Sequence, residues 1–180
     1  MSIDRTHKPW VIALLILALV AGVYATRPGV RGAGSRPGLA LAIGGTALAV
    51  FCGLLPARKR LVRLRRCAKW AGLRAPLWEK GHLYLGLFGC LLLHLHCGFR
   101  MGGPLTAALL SVLWTIVLSG LLGLLFRHLL PLAKAAKDGK ALLAARIITA
   151  GHQVSMRCHV PLTVTLFSLA AVHAVMALFY

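Results

Sequence analysis

Hydrophobic residues run along this chain in long unbroken blocks, without the strict alternation of a strand or the narrow stripe of a soluble amphipathic helix. Apolar stretches recur at roughly 9–26, 38–56, 81–99, 104–127 and 158–180, and about twenty such residues are what an α-helix needs to cross bilayer hydrocarbon. The pattern predicts an all-α, polytopic membrane helical bundle of about five transmembrane helices. Polar and turn-forming residues collect between the blocks. RPGVRGAGSRPG reads as an exposed loop. ARKRLVRLRRCAKWAGL mixes basic with apolar residues, as a helix lying on an anionic lipid surface does. Residues 138–150 predict a second interfacial helix with Asp138 as N-cap. GFRMGGP is long enough only to join two antiparallel helices. The expected organisation is therefore two N-terminal transmembrane helices (1–56), a basic interfacial segment (57–80) and a three-helix segment (81–180).

Composition sharpens this picture. Of 180 residues, 59% are hydrophobic and only Asp4, Glu79 and Asp138 are acidic, so no soluble catalytic domain fits beside the spans. A net charge of +18 would suit a nucleic-acid partner, but the charges sit in connections between apolar blocks, which points to lipid and excludes nucleic acid. Lys and Arg concentrate in 57–80 and 127–157. By the positive-inside rule these connections are cytoplasmic, giving a cytoplasmic N-terminus and an external C-terminus. The first block, flanked by Arg5 and Lys8, resembles the apolar region of a secretion signal, yet it is long for one and reads as a retained span. The five cysteines show no CxxC spacing, which argues against structural zinc and iron–sulfur clusters. SMRCH ends like a covalent haem attachment motif, but Ser155 stands where its first cysteine would be.

The candidate chemistry lies in the histidines. His82 and His96 are fourteen residues apart, and so are His159 and His173. Fourteen residues make nearly four helical turns, so each pair shares a face with its members about 21 Å apart along the axis. A single intervening span makes the third and fifth spans parallel, which levels His82 with His159 and His96 with His173. Neutral imidazole is an axial ligand of haem iron, so the spacing predicts two bis-histidine b haems in a four-helix core, one near each membrane surface. Stepping along the face from His82 gives Gly86, Gly89, Leu93 and His96, and the two glycines are expected to make room for porphyrin. Ser119, Gly120 and Gly123 are expected to seat the fourth span against the third or against porphyrin. His94 is the alternative to His96 but points about 160° away from it, so His96 is preferred. Lys80 and Arg157 inside, and Arg100 outside, are candidate propionate partners. Glu79, His152 and Lys80 are the polar groups available to a quinone near the inner level, and His7 carries no message. The competing readings are histidines that only satisfy a polytopic core, as in a haem-free assembly subunit, and histidines that relay an ion or metal.

The stretch HLYLGLFGCLLLHLHCGFRMGGPLTAALLSVLWTIVLSGLLGLLFRHLLP, with CHVPLTVTLFSLAAVHAVMALFY after it, resembles the membrane-bound dihaem b-type cytochromes of bacterial electron-transfer complexes. The carrying pieces are H-x13-H, GFRMGGPLT, SGLLG, LLP and the H-x-P-L…H ending, over roughly 78–180. The paired spacing is also similar to that of the cytochrome b subunit of quinol–cytochrome c oxidoreductases, although no PEWY-like quinol motif is present. The resemblance implies two haem b groups at His82/His159 and His96/His173, with quinone as a candidate further cofactor. It implies a subunit in the bacterial inner membrane, working with other membrane subunits between the quinone pool and a periplasmic c-type cytochrome or iron–sulfur protein.

Overall fold

The computed structural model describes residues 7–26, 34–63, 75–135 and 139–179. All ordered structure among them is helical: α1 (Lys8–Thr26), α2 (Arg36–Arg63), α3 (Ala75–His96), α4 (Pro104–Ala135) and α5 (Gly139–Phe179). Arg36–Leu54, Pro104–Ala133 and Leu142–Phe179 are long and apolar enough to cross a membrane, and Lys8–Tyr24 is a shorter apolar helix. α3 has 22 residues, about 33 Å and enough to span, but His82, His94 and His96 lower its hydropathy. The protein is an all-α membrane helical bundle.

Its surface shows why lipid is the required solvent. Leu15, Leu19, Ile43, Leu118, Ile147, Val164 and Leu178 are all exposed, and no large side chain among the described residues is fully buried. Burying such a residue contributes about 1.5–3 kcal/mol, so in water a surface carrying this many of them would drive association. Surrounded by hydrocarbon, they exert no such drive, and helix association falls to close packing of small residues.

The helices form two compact units, one within Ile3–Arg100 and one within Met101–Tyr180. This division differs from the one expected from sequence, because α3 groups with α1 and α2. In the first unit α2 and α3 are antiparallel and cross at Gly45 and Gly89. A Cβ on Gly89 would lie 3.2 Å from the Gly45 carbonyl oxygen and 3.2 Å from Leu48 Cβ. Phe51 of α2 stacks on Trp78 of α3, with centroids 4.9 Å apart. Ser35 caps α2, its Oγ accepting from Gly38 N at 3.1 Å. α1 is tied to α3 by Trp10, stacked on Tyr84 at 5.5 Å.

α3 stops in a Schellman motif. Phe99 N donates to His94 O and Gly98 N to Leu95 O, with Gly98 left-handed at φ 62°. The apolar contact that accompanies this motif is made by Phe99 against His94, with centroids 6.0 Å apart.

In the second unit α4 and α5 are antiparallel, and Ser119, Gly120 and Gly123 face α5. A Cβ on Gly123 would fall 2.7 Å from Met156 Cε, and one on Gly151 would fall 2.8 Å from the Phe126 ring. The small residues of α4 therefore seat it against α5, where the sequence reading expected α3 or porphyrin.

Several boundaries are corrected. The interfacial helix expected at 138–150 and the span expected at 158–180 are one 41-residue helix, α5, about 60 Å long. Gly151 weakens a helix interior by only about 1 kcal/mol, and here its bare backbone admits Phe126. Pro161 lies inside α5 and Pro131 inside α4, which continues to Ala135. The basic segment 57–80 is not a separate element at its ends: α2 runs on to Arg63 and α3 begins at Ala75. Its middle, 64–74, and the proposed cap Asp138 lie outside the described residues.

Candidate haem-ligand histidines

His82 and His96 are half-buried on α3 and turned toward α2. His82 Nδ1 lies 3.1 Å from Cys52 O, and Cys52 Sγ donates back to His82 O at 3.4 Å. His96 Nδ1 lies 2.9 Å from Gly38 O. Gly38 and Cys52 are fourteen residues apart on α2, matching the interval between the histidines they serve. Antiparallel helices that keep one register over this length place the same pairing at both levels.

On α5, His159 Nδ1 lies 3.1 Å from Ile116 O and 3.0 Å from Ser119 Oγ, both on α4. A carbonyl oxygen can only accept, so in all three cases Nδ1 carries a proton, and in the neutral ring the lone pair is then on Nε2. Imidazoles that bind metal through one nitrogen are oriented in this way by a carbonyl at the other. The donor set fits axial haem ligation on this ground. Haem brings four ring nitrogens of its own, and among the described residues no group of three or more His, Cys, Asp or Glu is gathered for a metal held by protein alone.

The fourth candidate differs. His173 is half-buried and forms no hydrogen bond among the described residues. The register that sets His159 against Ile116 brings His173 level with residue 102, before α4 begins at Pro104. No helix carbonyl of α4 stands at that height.

His94 is held within its own helix. Its Nδ1 lies 2.8 Å from Cys90 O, the residue is buried, and its ring closes the α3 stop against Phe99. Helix termination accounts for this side chain, whereas His96 reaches across to α2.

Gly86 and Gly89 require a correction. Both lie on the face of His82 and His96, as the phase predicts, but the space above them is taken by α2. A Cβ on Gly86 would meet Cys52 Sγ at 3.6 Å, and Gly89 abuts the Gly45 backbone. Their role here is helix approach, and that approach brings the imidazoles within reach of the α2 carbonyls. Arg100 and Arg157 are exposed and Lys80 is half-buried. Each stands within four residues of a candidate ligand, Lys80 before His82, Arg157 before His159 and Arg100 after His96.

Sequence reasoning did not reach the backbone acceptors Gly38, Cys52 and Ile116, for which no side chain gives a signal. It also missed that His152 repeats the arrangement, with Nδ1 3.2 Å from Gly123 O. His7, set aside as uninformative, is buried and bonded through Nδ1 to Tyr84 Oη at 2.9 Å. Comparison with protein-family models, characterised proteins and solved structures finds no match.

Proposed function

We propose that this chain is a cytochrome b subunit that carries electrons across the bacterial inner membrane through two bis-histidine b haems. The observation that supports this most is the set of three imidazoles, His82, His96 and His159, each with Nδ1 bonded to a carbonyl of a neighbouring helix. A bound haem supplies a one-electron redox couple, and its environment sets the potential. The chain's residues orient the imidazoles, hold the Nδ1 proton on a carbonyl so that the neutral ring offers Nε2, and supply apolar helix around them. The pairing of His82 with His159 and His96 with His173 rests on their equal intervals, with Lys80, Arg157 and Arg100 as the cations for propionates.

The charge of the 57–80 and 127–157 segments supports a cytoplasmic N-terminus and a periplasmic C-terminus. In that orientation the His82 and His159 level exchanges with the quinone pool. The His96 and His173 level serves a periplasmic c-type cytochrome or iron–sulfur protein within a larger complex.

A reduced-minus-oxidised spectrum of the purified chain, with haem quantified per polypeptide, tests the proposal. A b-type α band and two haems per chain are expected. A colourless, folded protein would overturn it and favour a structural or ion-relay role.

A further inference from the structure

Ser119 is buried at the α4–α5 seam, and its hydroxyl has two neighbours. Its Oγ donates to Ile116 O at 2.9 Å and lies 3.0 Å from His159 Nδ1. A serine hydroxyl has one proton. With that proton given to Ile116 O, the oxygen faces His159 as an acceptor. His159 Nδ1–H is thereby shared between two acceptors, Ser119 Oγ and Ile116 O, both of which require the same tautomer.

The surroundings hold this arrangement in place. Ser155, also buried, donates from Oγ to the Ser119 carbonyl. A Cβ on Gly120 would sit 3.2 Å from His159 Cε1, so the α4 backbone closes against the ring edge. Thr163, one turn on, donates to the His159 carbonyl at 2.8 Å, a main-chain bond within α5. On α3, His82 Nδ1 and His96 Nδ1 each lie against a backbone carbonyl of α2, those of Cys52 and Gly38.

We propose that Ser119 is a positioning residue for His159: its hydroxyl fixes the plane and the Nδ1–H tautomer of that imidazole and so tunes one haem of the pair. A single acceptor lets a ring pivot about one bond, whereas a second, displaced acceptor removes that freedom. The donor strength of a ligating imidazole follows the hydrogen bonding at its other nitrogen. Loss of the hydroxyl is therefore felt at Nε2, on the far side of the ring. The tuning part of this inference rests on the haem proposal; the tautomer part does not.

The test uses the full chain in detergent, as wild type, Ser119→Ala and Thr163→Val. In haem-free protein with 15N-labelled histidine, the His159 Nδ1–H signal is expected to shift and to exchange with solvent several-fold faster in Ser119→Ala, and to stay unchanged in Thr163→Val. In haem-loaded protein, Ser119→Ala is expected to shift the midpoint potential and the paramagnetic resonance signal of one haem, leaving the other at its wild-type values. Wild-type exchange and shift at His159 in Ser119→Ala would overturn the positioning role. Two unshifted haems in that variant would overturn the tuning. A wild-type protein that binds no haem would defeat the haem proposal and the tuning with it, while the ring-proton measurement still decides the positioning role.

Discussion

The α2–α3 pair and the α4–α5 pair present the same histidine interval but anchor it unequally. α2 and α3 cross through bare backbone at Gly45 and Gly89, midway between His82 and His96, and stay in register long enough for both imidazoles to reach α2 carbonyls. α4 and α5 meet through a more polar seam of Ser119, His152, Ser155 and His159. There the carbonyl ladder ends before the height of His173. Equal spacing in sequence thus guarantees equal phase on a helix, while a hydrogen-bond partner depends on how far the neighbouring helix extends.

The largest test of this contrast is ligand removal. His82→Ala and His159→Ala are each expected to lose the same haem, and His96→Ala and His173→Ala the other, read as haem per chain with the spectral position of what remains. Loss of one haem from His82→Ala and His173→Ala together, with the second following His159 and His96, would refute the parallel pairing.

Next in size is the α2–α3 crossing. Gly89→Leu must displace backbone, because even a Cβ at that position meets the Gly45 carbonyl oxygen at 3.2 Å. A destabilisation of about 1–3 kcal/mol or more is expected, measured by unfolding in mixed detergent and accompanied by disturbance at both His82 and His96. Gly22→Ala, where a Cβ meets nothing within 4 Å, is the control and should be neutral or slightly stabilising.

Gly151→Ala on the other seam should cost less. The obstacle is the rim of the Phe126 ring at 2.8 Å, a side chain that can rotate, and the gain in helix propensity of about 1 kcal/mol offsets part of the clash. A loss within about 1 kcal/mol is expected by the same unfolding measurement. A loss as large as that of Gly89→Leu would show the two seams to be equally rigid.

His94→Ala should have the smallest effect on haem. Both haems are expected to remain, because this ring closes the end of α3 against Phe99. The change should appear as a modest loss of stability and earlier fraying of the α3 C-terminus in hydrogen exchange. Haem loss from His94→Ala with full haem in His96→Ala would reverse the assignment of the two.

By itself the amino-acid sequence determined that the chain is helical and lives in lipid, because unbroken apolar blocks cannot be satisfied in water and a helix bonds its own backbone. It also determined the phase of the histidines, since fourteen residues return to one face in any α-helix. Helix limits were less legible. The break expected between 150 and 158 vanished into α5 because Gly151 is used for packing against Phe126, and the isolated sequence does not reveal that use. Only tertiary structure decided what faces each stripe. The space above Gly86 and Gly89 went to α2, and the partners of His82, His96 and His159 are main-chain oxygens on other helices. Every residue carries such an oxygen, so its choice as acceptor leaves no mark in residue type and is set by helix register alone.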